Sequence, residues 1–153
     1  MVRAKFRVLG INYRLSHTVV ELKPVIAKSD SWPEGSEENR QFWSASPEGE
    51  SELVYKAGVE IPYELGDYVY IDMVPGEEGR TWKLWEISHK SSWLGVKFGL
   101  GHDGEEDLTH ASLRIEIENQ DAWGHFDGKQ GTKWSVTYTK VKASHSDCPY
   151  TSN

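Results

Sequence analysis

The stretch Gly66-Asp67-Tyr68-Val69-Tyr70-Ile71-Asp72-Met73-Val74 decides the fold. Its aromatic side chains stand two residues apart, which is the side-chain alternation of a β-strand. The cluster Pro75-Gly76-Glu77-Glu78-Gly79 follows directly, and this density of Pro and Gly predicts a turn. The stretch therefore predicts a strand that ends at a turn, and the turn marks the boundary between two halves of the chain.

Period-two patterns also occur on both sides of that turn. Before it, strands are predicted at 5–11, 18–25 and 51–55, with a polar loop from Ala27 to Ser51 and a helical turn near Val59 to Tyr63. The break in alternation at Leu9-Gly10 predicts a β-bulge, and Pro24 predicts a strand end or an edge because proline has no N–H. After the turn, strands are predicted at 81–87, 93–98, 113–117 and 134–141, with a helical turn near Gln120 to Phe126.

The two halves repeat one order of elements: strand, strand, loop, strand, helical turn, strand. We therefore predict a mainly β protein, built from two tandem, degenerate β-rich units that form a barrel-like or sandwich-like domain. The units span residues 1–75 and 80–142 and share one core, and residues 143–153 form a polar C-terminal tail. Tyr70 and Trp134 should then lie on corresponding faces of equivalent strands. A single irregular β-sandwich is the alternative.

Length and charge limit the class of protein. The 153 residues suffice for one compact domain. With 17 basic and 24 acidic residues, the formal net charge of −7 argues against a duplex nucleic-acid partner, which needs a basic surface. Cys148 is the only cysteine, so an intramolecular disulfide or a Cys-rich zinc site is excluded. The absence of a long apolar stretch and of a signal-peptide pattern predicts a soluble intracellular protein without a membrane partner.

Residues with catalytic chemistry are few, and their contexts favour no reaction. The stretch His102 to His110 offers imidazoles and carboxylates, but a solvated acidic loop explains it better than a metal site. Ser144-His145-Ser146-Asp147-Cys148 combines nucleophile and base types in a polar tail, where neighbouring residues cannot converge on one atom. Gly99 to Gly104 matches G-x-G-x-x-G in a loop that opens no helix. We predict no enzyme, no cofactor and no metal.

Aromatic residues in polar loops predict a binding surface. Trp32, Trp43 and Trp93 are less easily explained as core than the strand aromatics, and exposed tryptophans are frequent anchors of interfaces. For a nucleotide-like ligand, Arg40 or Arg80 would supply the cation that an aromatic face lacks. For Trp43 an alternative of equal weight is that it caps the mouth of a barrel.

Three segments resemble a family of small uncharacterised proteins of tailed bacteriophages. They are Glu37-Glu38-Asn39-Arg40, the motif Phe42-Trp43-Ser44-Ala45-Ser46-Pro47-Glu48-Gly49-Glu50, and the closing strand Gly66-Asp67-Tyr68-Val69-Tyr70-Ile71-Asp72. The resemblance covers residues 37–72 and is faint after Arg80. Asp67 and Lys56-Ala57-Gly58 depart from its pattern. The resemblance implies a viral source and supplies no mechanism.

These observations predict a phage accessory protein that acts as a non-enzymatic binding module. Its partner is a host or phage protein or a small signalling nucleotide, with action against host defence as one option, and its location is the host cytoplasm. A virion structural or assembly component is the first alternative and a hydrolase the second. A homo-oligomer stays open.

Overall fold

The computed structural model describes residues 2–44, 47–76, 81–100 and 107–141. Its elements in chain order are β1 (Val2–Tyr13), β2 (His17–Pro24), the 3₁₀ helix η1 (Glu38–Gln41), β3 (Gly49–Lys56), β4 (Tyr68–Pro75), β5 (Thr81–His89), β6 (Leu94–Leu100), β7 (Leu108–Ile117), the 3₁₀ helix η2 (Gln120–His125) and β8 (Lys133–Lys140). The strands form one closed antiparallel barrel in the order β1-β2-β3-β7-β6-β5-β8-β4. The prediction of a mainly β, barrel-like domain is confirmed.

Alternating side chains build the inside and the outside of this barrel. On β1, Phe6 and Val8 are fully buried, whereas Lys5 and Arg7, the residues before each of them, point outward. On β4, Ile71 is fully buried and its neighbours stay partly exposed. Because successive side chains of a strand point to opposite faces, each strand contributes both to the core and to the outer surface.

Both halves of the chain have the same strand order. The first half is arranged β4-β1-β2-β3 and the second β8-β5-β6-β7, and the halves join where β3 pairs with β7 and β4 with β8. Each half also has a bulge in its first strand, after Val8 and after Leu84. The Gly66 N–H donates to Val8 O over 2.8 Å, and the Gly131 N–H donates to Leu84 O over 2.7 Å. The duplication itself stays a prediction, which superposition of residues 4–74 on 81–141 would test.

The predicted helical turn near Val59 to Tyr63 is wrong. That segment is irregular because Pro62 has no N–H and disfavours helical backbone at Ile61. Gly58, just before the segment, also has a non-helical φ of 82°. The first half instead has η1 between its second and third strands, so its order is strand, strand, helical turn, strand, strand. The turn predicted near Gln120 to Phe126 is present as η2.

The predicted faces of Tyr70 and Trp134 are also wrong. Trp134 is fully buried inside the barrel, whereas Tyr70 lies on the outer surface. Trp134 is the third residue after Gly131, and the third residue after Gly66 is the buried Val69. Aligning the two halves on Tyr70 and Trp134 therefore shifts one strand by one position, and a shift by one residue moves a side chain to the other face of a strand.

One end of the barrel is filled by aromatic side chains. Phe42 and Trp43 are fully buried, and their rings lie 5.2 Å apart. Trp43 Nε1 donates to Glu116 O over 2.6 Å, which places the pair where β7 ends. Phe126 completes this filling, since its ring stacks on that of Trp134 with centroids 5.5 Å apart.

Candidate functional site

A groove with a volume of about 320 Å³ lies on the outer surface between β1, β2, β4 and the loop that follows β2. We call it the Trp32 groove. The residues that matter for its chemistry are Arg7, Leu9, Lys23, Ile26, Trp32 and Tyr68. Trp32 is 46% exposed and Leu9 58% exposed, so the groove offers aromatic and aliphatic surface to solvent beside two cations.

Local hydrogen bonds shape the loop that carries Trp32. The N–H groups of Ser29 and Gly35 both donate to Trp32 O, and the Trp32 N–H donates to Ser29 O. At the base of the loop, the Ser36 N–H donates to Ile26 O over 2.8 Å. A Cβ at Gly35 would lie 2.7 Å from Ile26 O, so only glycine permits the two sides of the loop to approach this closely. These contacts fix the backbone position of Trp32.

Asn39 joins this loop to the barrel wall. The fully buried amide accepts from the Lys5 N–H and donates to Lys5 O, both over 2.8 Å. Its Nδ2 also donates to Val25 O over 2.8 Å, just after β2 ends. The side chain thus satisfies backbone groups of β1 and of the segment after β2, as a neighbouring strand would.

Cations and tyrosines alternate on the outer face next to the groove. The Arg7 guanidinium lies 5.2 Å from the Tyr68 ring centroid, and Lys5 Nζ lies 5.0 Å from the same ring. Arg3 is ion-paired to Asp72, with Nε 2.6 Å from Oδ1. Among the residues that the structure describes, neither Lys5 nor Arg7 is ion-paired with a carboxylate. Arg7 Nε donates to Gly66 O over 3.3 Å, so the Lys5 ammonium and the terminal Nη groups of Arg7 are the donors that can meet an anion from outside.

The structure separates the residues predicted for the binding surface. Trp32 lines the groove, but Trp43 belongs to the core, so its placement on an exposed surface is corrected. Trp93 is partly buried in the β5–β6 turn, away from the groove lining. Arg40 is exposed and its Nη2 lies 3.4 Å from Glu37 Oε1. Arg80 lies outside the described residues.

Sequence reasoning missed Arg7, Lys23 and Tyr68 as neighbours of Trp32. The spacing Arg3-x-Lys5-x-Arg7 was the available signal, because residues two apart on a strand share one face. What it lacked was the pairing of β1 with β4, in which Arg7 is opposite Tyr68. That register places the Tyr68 ring, which faces the Arg7 guanidinium, at the groove.

A hydrogen bond crosses the barrel interior between opposite walls. Ser51 on β3 and Tyr138 on β8 have their hydroxyl oxygens 2.5 Å apart. The single Ser51 hydroxyl proton goes to Ser112 O over 2.9 Å, so the Tyr138 phenol is the donor in the cross-barrel bond. Burial raises the pKa of Tyr138, and the bond to Ser51 opposes this only in part.

We expect the stability that Tyr138 contributes to be lost at alkaline pH. A raised pKa means that the folded state keeps a phenol proton that an unfolded tyrosine releases near pH ~10. The contribution is complete below that pH and falls as the pH rises above it. Tyr138→Phe should cost ~1 kcal/mol at pH 7 through the lost hydrogen bond, yet lose stability less steeply above pH ~10. Urea unfolding between pH 7 and 11 measures both, and parallel curves would contradict the assignment.

Other candidate chemistry lies largely outside the described residues. Residues 102–106 of the acidic loop and the segment Ser144 to Cys148 are among those not described. His110 is described, and its ring lies 6.5 Å from that of Trp85 on the outer surface. Within 2–44, 47–76, 81–100 and 107–141, no three His, Cys, Asp or Glu side chains converge as a metal site. Neither 3₁₀ helix of the described chain has the length and apolarity to cross a bilayer.

The fold and the groove define the chain as a closed eight-stranded antiparallel β-barrel with an aromatic and cationic outer groove. Comparison with protein-family models, curated proteins and solved structures found no match. A barrel supports many unrelated functions, so function has to be argued from the side chains of the site.

Proposed function

We propose that the protein is a non-enzymatic binding module that holds a nucleotide-like ligand, a planar ring with an anionic group, in the Trp32 groove. The observation that carries this proposal is the position of the exposed Trp32 indole in one groove with Arg7, whose guanidinium is not ion-paired within the described chain. An aromatic face and a guanidinium without a carboxylate partner are the two groups that recognition of a base and a phosphate requires.

The dimensions and charges of the groove suit such a ligand. Its volume of about 320 Å³ lies at the lower end of the range for small-molecule sites. A base can stack on Trp32, while the Nη groups of Arg7, whose Nε donates to Gly66 O, supply N–H donors to a phosphate. Lys23 also lines the groove, although its Nζ is ion-paired with the exposed Glu50 carboxylate, 3.3 Å from Oε1. Glu34 supplies an acceptor for a ligand hydroxyl.

The cationic face contrasts with the charge of the whole chain. The formal net charge is −7, so a long nucleic acid would be repelled by most of the surface. A single nucleotide meets only the local potential, which Lys5 and Arg7 make positive beside the groove. This contrast favours a small anionic ligand over a polynucleotide.

The resemblance to phage proteins supports a role in an infected cell. A viral protein that holds a nucleotide without converting it would act by withholding it from host proteins, and its place of action would be the host cytoplasm. Such a role needs no catalytic residues, only affinity and a sufficient amount of protein.

We expect Trp32→Ala and Arg7→Gln each to weaken nucleotide binding by ~2 kcal/mol, or about 30-fold, with little change in melting temperature. Titration calorimetry or native mass spectrometry of the full chain against mono-, di- and cyclic nucleotides measures the effect. Trp85→Ala is the matched control, because Trp85 is similarly exposed at 38% and lies on β5 outside the groove.

Two results would contradict the proposed function. In one, no nucleotide of the panel binds to the folded protein at millimolar concentration. In the other, a nucleotide binds and Trp85→Ala weakens it as much as Trp32→Ala does. If Trp32→Ala and Arg7→Gln weaken the binding of a protein partner and no nucleotide binds, the groove is a protein-docking surface.

A further inference from the structure

Two corresponding connections between strands, β2–β3 and β6–β7, differ in length and in aromatic residues. The β2–β3 connection, residues 25–48, includes Phe42 and Trp43, which fill the end where β7 finishes. The corresponding β6–β7 connection, residues 101–107, is much shorter and contains no Phe, Trp or Tyr. At the end where β7 begins, the structure has a cavity of about 460 Å³. We call it the end cavity.

The lining of the end cavity is aromatic and apolar with hydroxyl groups. Its main side chains are Leu53, Tyr55, Tyr63, Val136, Tyr138 and Lys140. Leu53 and Tyr55 come from β3, whereas Val136 and Tyr138 come from β8 on the opposite wall. Tyr63 reaches the cavity from the β3–β4 connection. Rings and aliphatic groups on opposing walls favour a flat molecule between them.

Charge at the cavity is balanced. Lys140 Nζ lies 3.5 Å from Asp67 Oδ2 and donates to Pro62 O over 3.4 Å, so its charge already has acceptors. Asp107 adds a carboxylate to the lining. Lys140 already has acceptors and Asp107 is acidic, so the cavity offers little electrostatic stabilisation to an anionic ligand. An uncharged molecule is therefore preferred.

Hydrogen-bonding capacity remains next to the cavity. Tyr138 donates its hydroxyl proton to Ser51, so the lone pairs of the phenol oxygen can accept from a donor on a ligand. The Trp82 ring stacks on that of Tyr138 with centroids 5.7 Å apart. Within the described residues, Trp82 Nε1 is the one buried side-chain polar atom without a hydrogen-bond partner. A buried donor without a partner is rare in folded proteins, and this one lies beside Tyr138, although Trp82 itself does not line the cavity.

From this geometry we infer that the end cavity is a second ligand site, which takes an uncharged planar aromatic molecule of one or two rings with hydrogen-bonding groups at its edge. The volume fits, because a dry cavity of roughly 150 Å³ already holds benzene. An eight-stranded barrel is also just wide enough to hold one small ligand in its interior. The site is separate from the Trp32 groove in both position and charge preference.

The test titrates the full chain with indole and with phenol, followed by NMR of backbone and aromatic signals. Indole is expected to bind with a dissociation constant below ~1 mM and to shift signals of Tyr55, Tyr63 and Tyr138. Leu53→Trp, which places a ring in the cavity, should weaken indole binding at least about tenfold. Trp32→Ala should leave indole binding unchanged, so the end cavity and the groove are tested independently.

Tyr63→Ala keeps the test decisive if Leu53→Trp fails to fold. Tyr63 lies in a connection between strands, and its removal takes away one aromatic wall, for which about tenfold weaker indole binding is expected. The inference is overturned if neither indole nor phenol shifts these tyrosine signals at ~10 mM, or if the folded Tyr63→Ala variant binds indole as the parent does. Shifts confined to residues of the Trp32 groove would also overturn it.

Discussion

Trp43→Ala is expected to lower the free energy of unfolding by ~3–5 kcal/mol. Trp43 is fully buried beside Phe42 at the filled end of the barrel, so truncation leaves a cavity that the surrounding strands cannot close. The substitution also removes the N–H that donates to Glu116 O over 2.6 Å, and a buried carbonyl without its donor adds to the loss. Urea unfolding followed by circular dichroism measures the change.

Trp32→Ala is the control for this prediction. It removes the same side chain from a loop, but Trp32 is 46% exposed, and exposed positions usually change stability by ~0.5 kcal/mol or less. Equal destabilisation by the two variants would contradict the assignment of Trp43 to the core and Trp32 to the groove. Loss of ligand affinity is expected only of Trp32→Ala, because Trp43 has no exposed surface.

Asn39→Ala is expected to lower the free energy of unfolding by ~3 kcal/mol or more. The variant removes three hydrogen bonds of 2.8 Å, two to the backbone of Lys5 and one to Val25 O. Asn39 is fully buried, and the backbone groups left behind lose their partner at ~1 kcal/mol or more each. The loop that carries Trp32 should also exchange its amide hydrogens faster, because Asn39 joins it to β1 and to the end of β2.

Asn119→Ala is the matched control for Asn39→Ala. The Asn119 side chain accepts from the Asp121 N–H over 3.1 Å at the start of η2, which is a local capping bond in exposed surroundings. Loss of such a cap costs ~1 kcal/mol. If Asn39→Ala proves no more destabilising than Asn119→Ala, the buried amide does not stabilise the loop and the barrel as described.

The different burial of Trp32 and Trp43 could not be predicted from the sequence. Trp32 and Trp43 both stand in one polar stretch between β2 and β3, and no local pattern distinguishes them. Trp43 is buried because it packs with Phe42 in the end of the barrel and because Glu116 O, on β7, accepts from its indole. That partner is remote in the sequence, so the burial depends on a contact that no neighbouring residue encodes.

The sequence by itself determined the strands, the bulge near Gly10 and the strand end at Pro24, because side-chain alternation and the missing proline N–H act within a few residues. It also determined that no helix dominates, since its aromatic residues follow a period of two. Only the tertiary structure decided the sites. Closure of the barrel brings Ser51 to Tyr138 across the lumen, and the register of β1 with β4 brings Arg7 to Tyr68 beside Trp32. These contacts join residues far apart in the chain, and strand pairing, which local preferences leave undetermined, sets their distances.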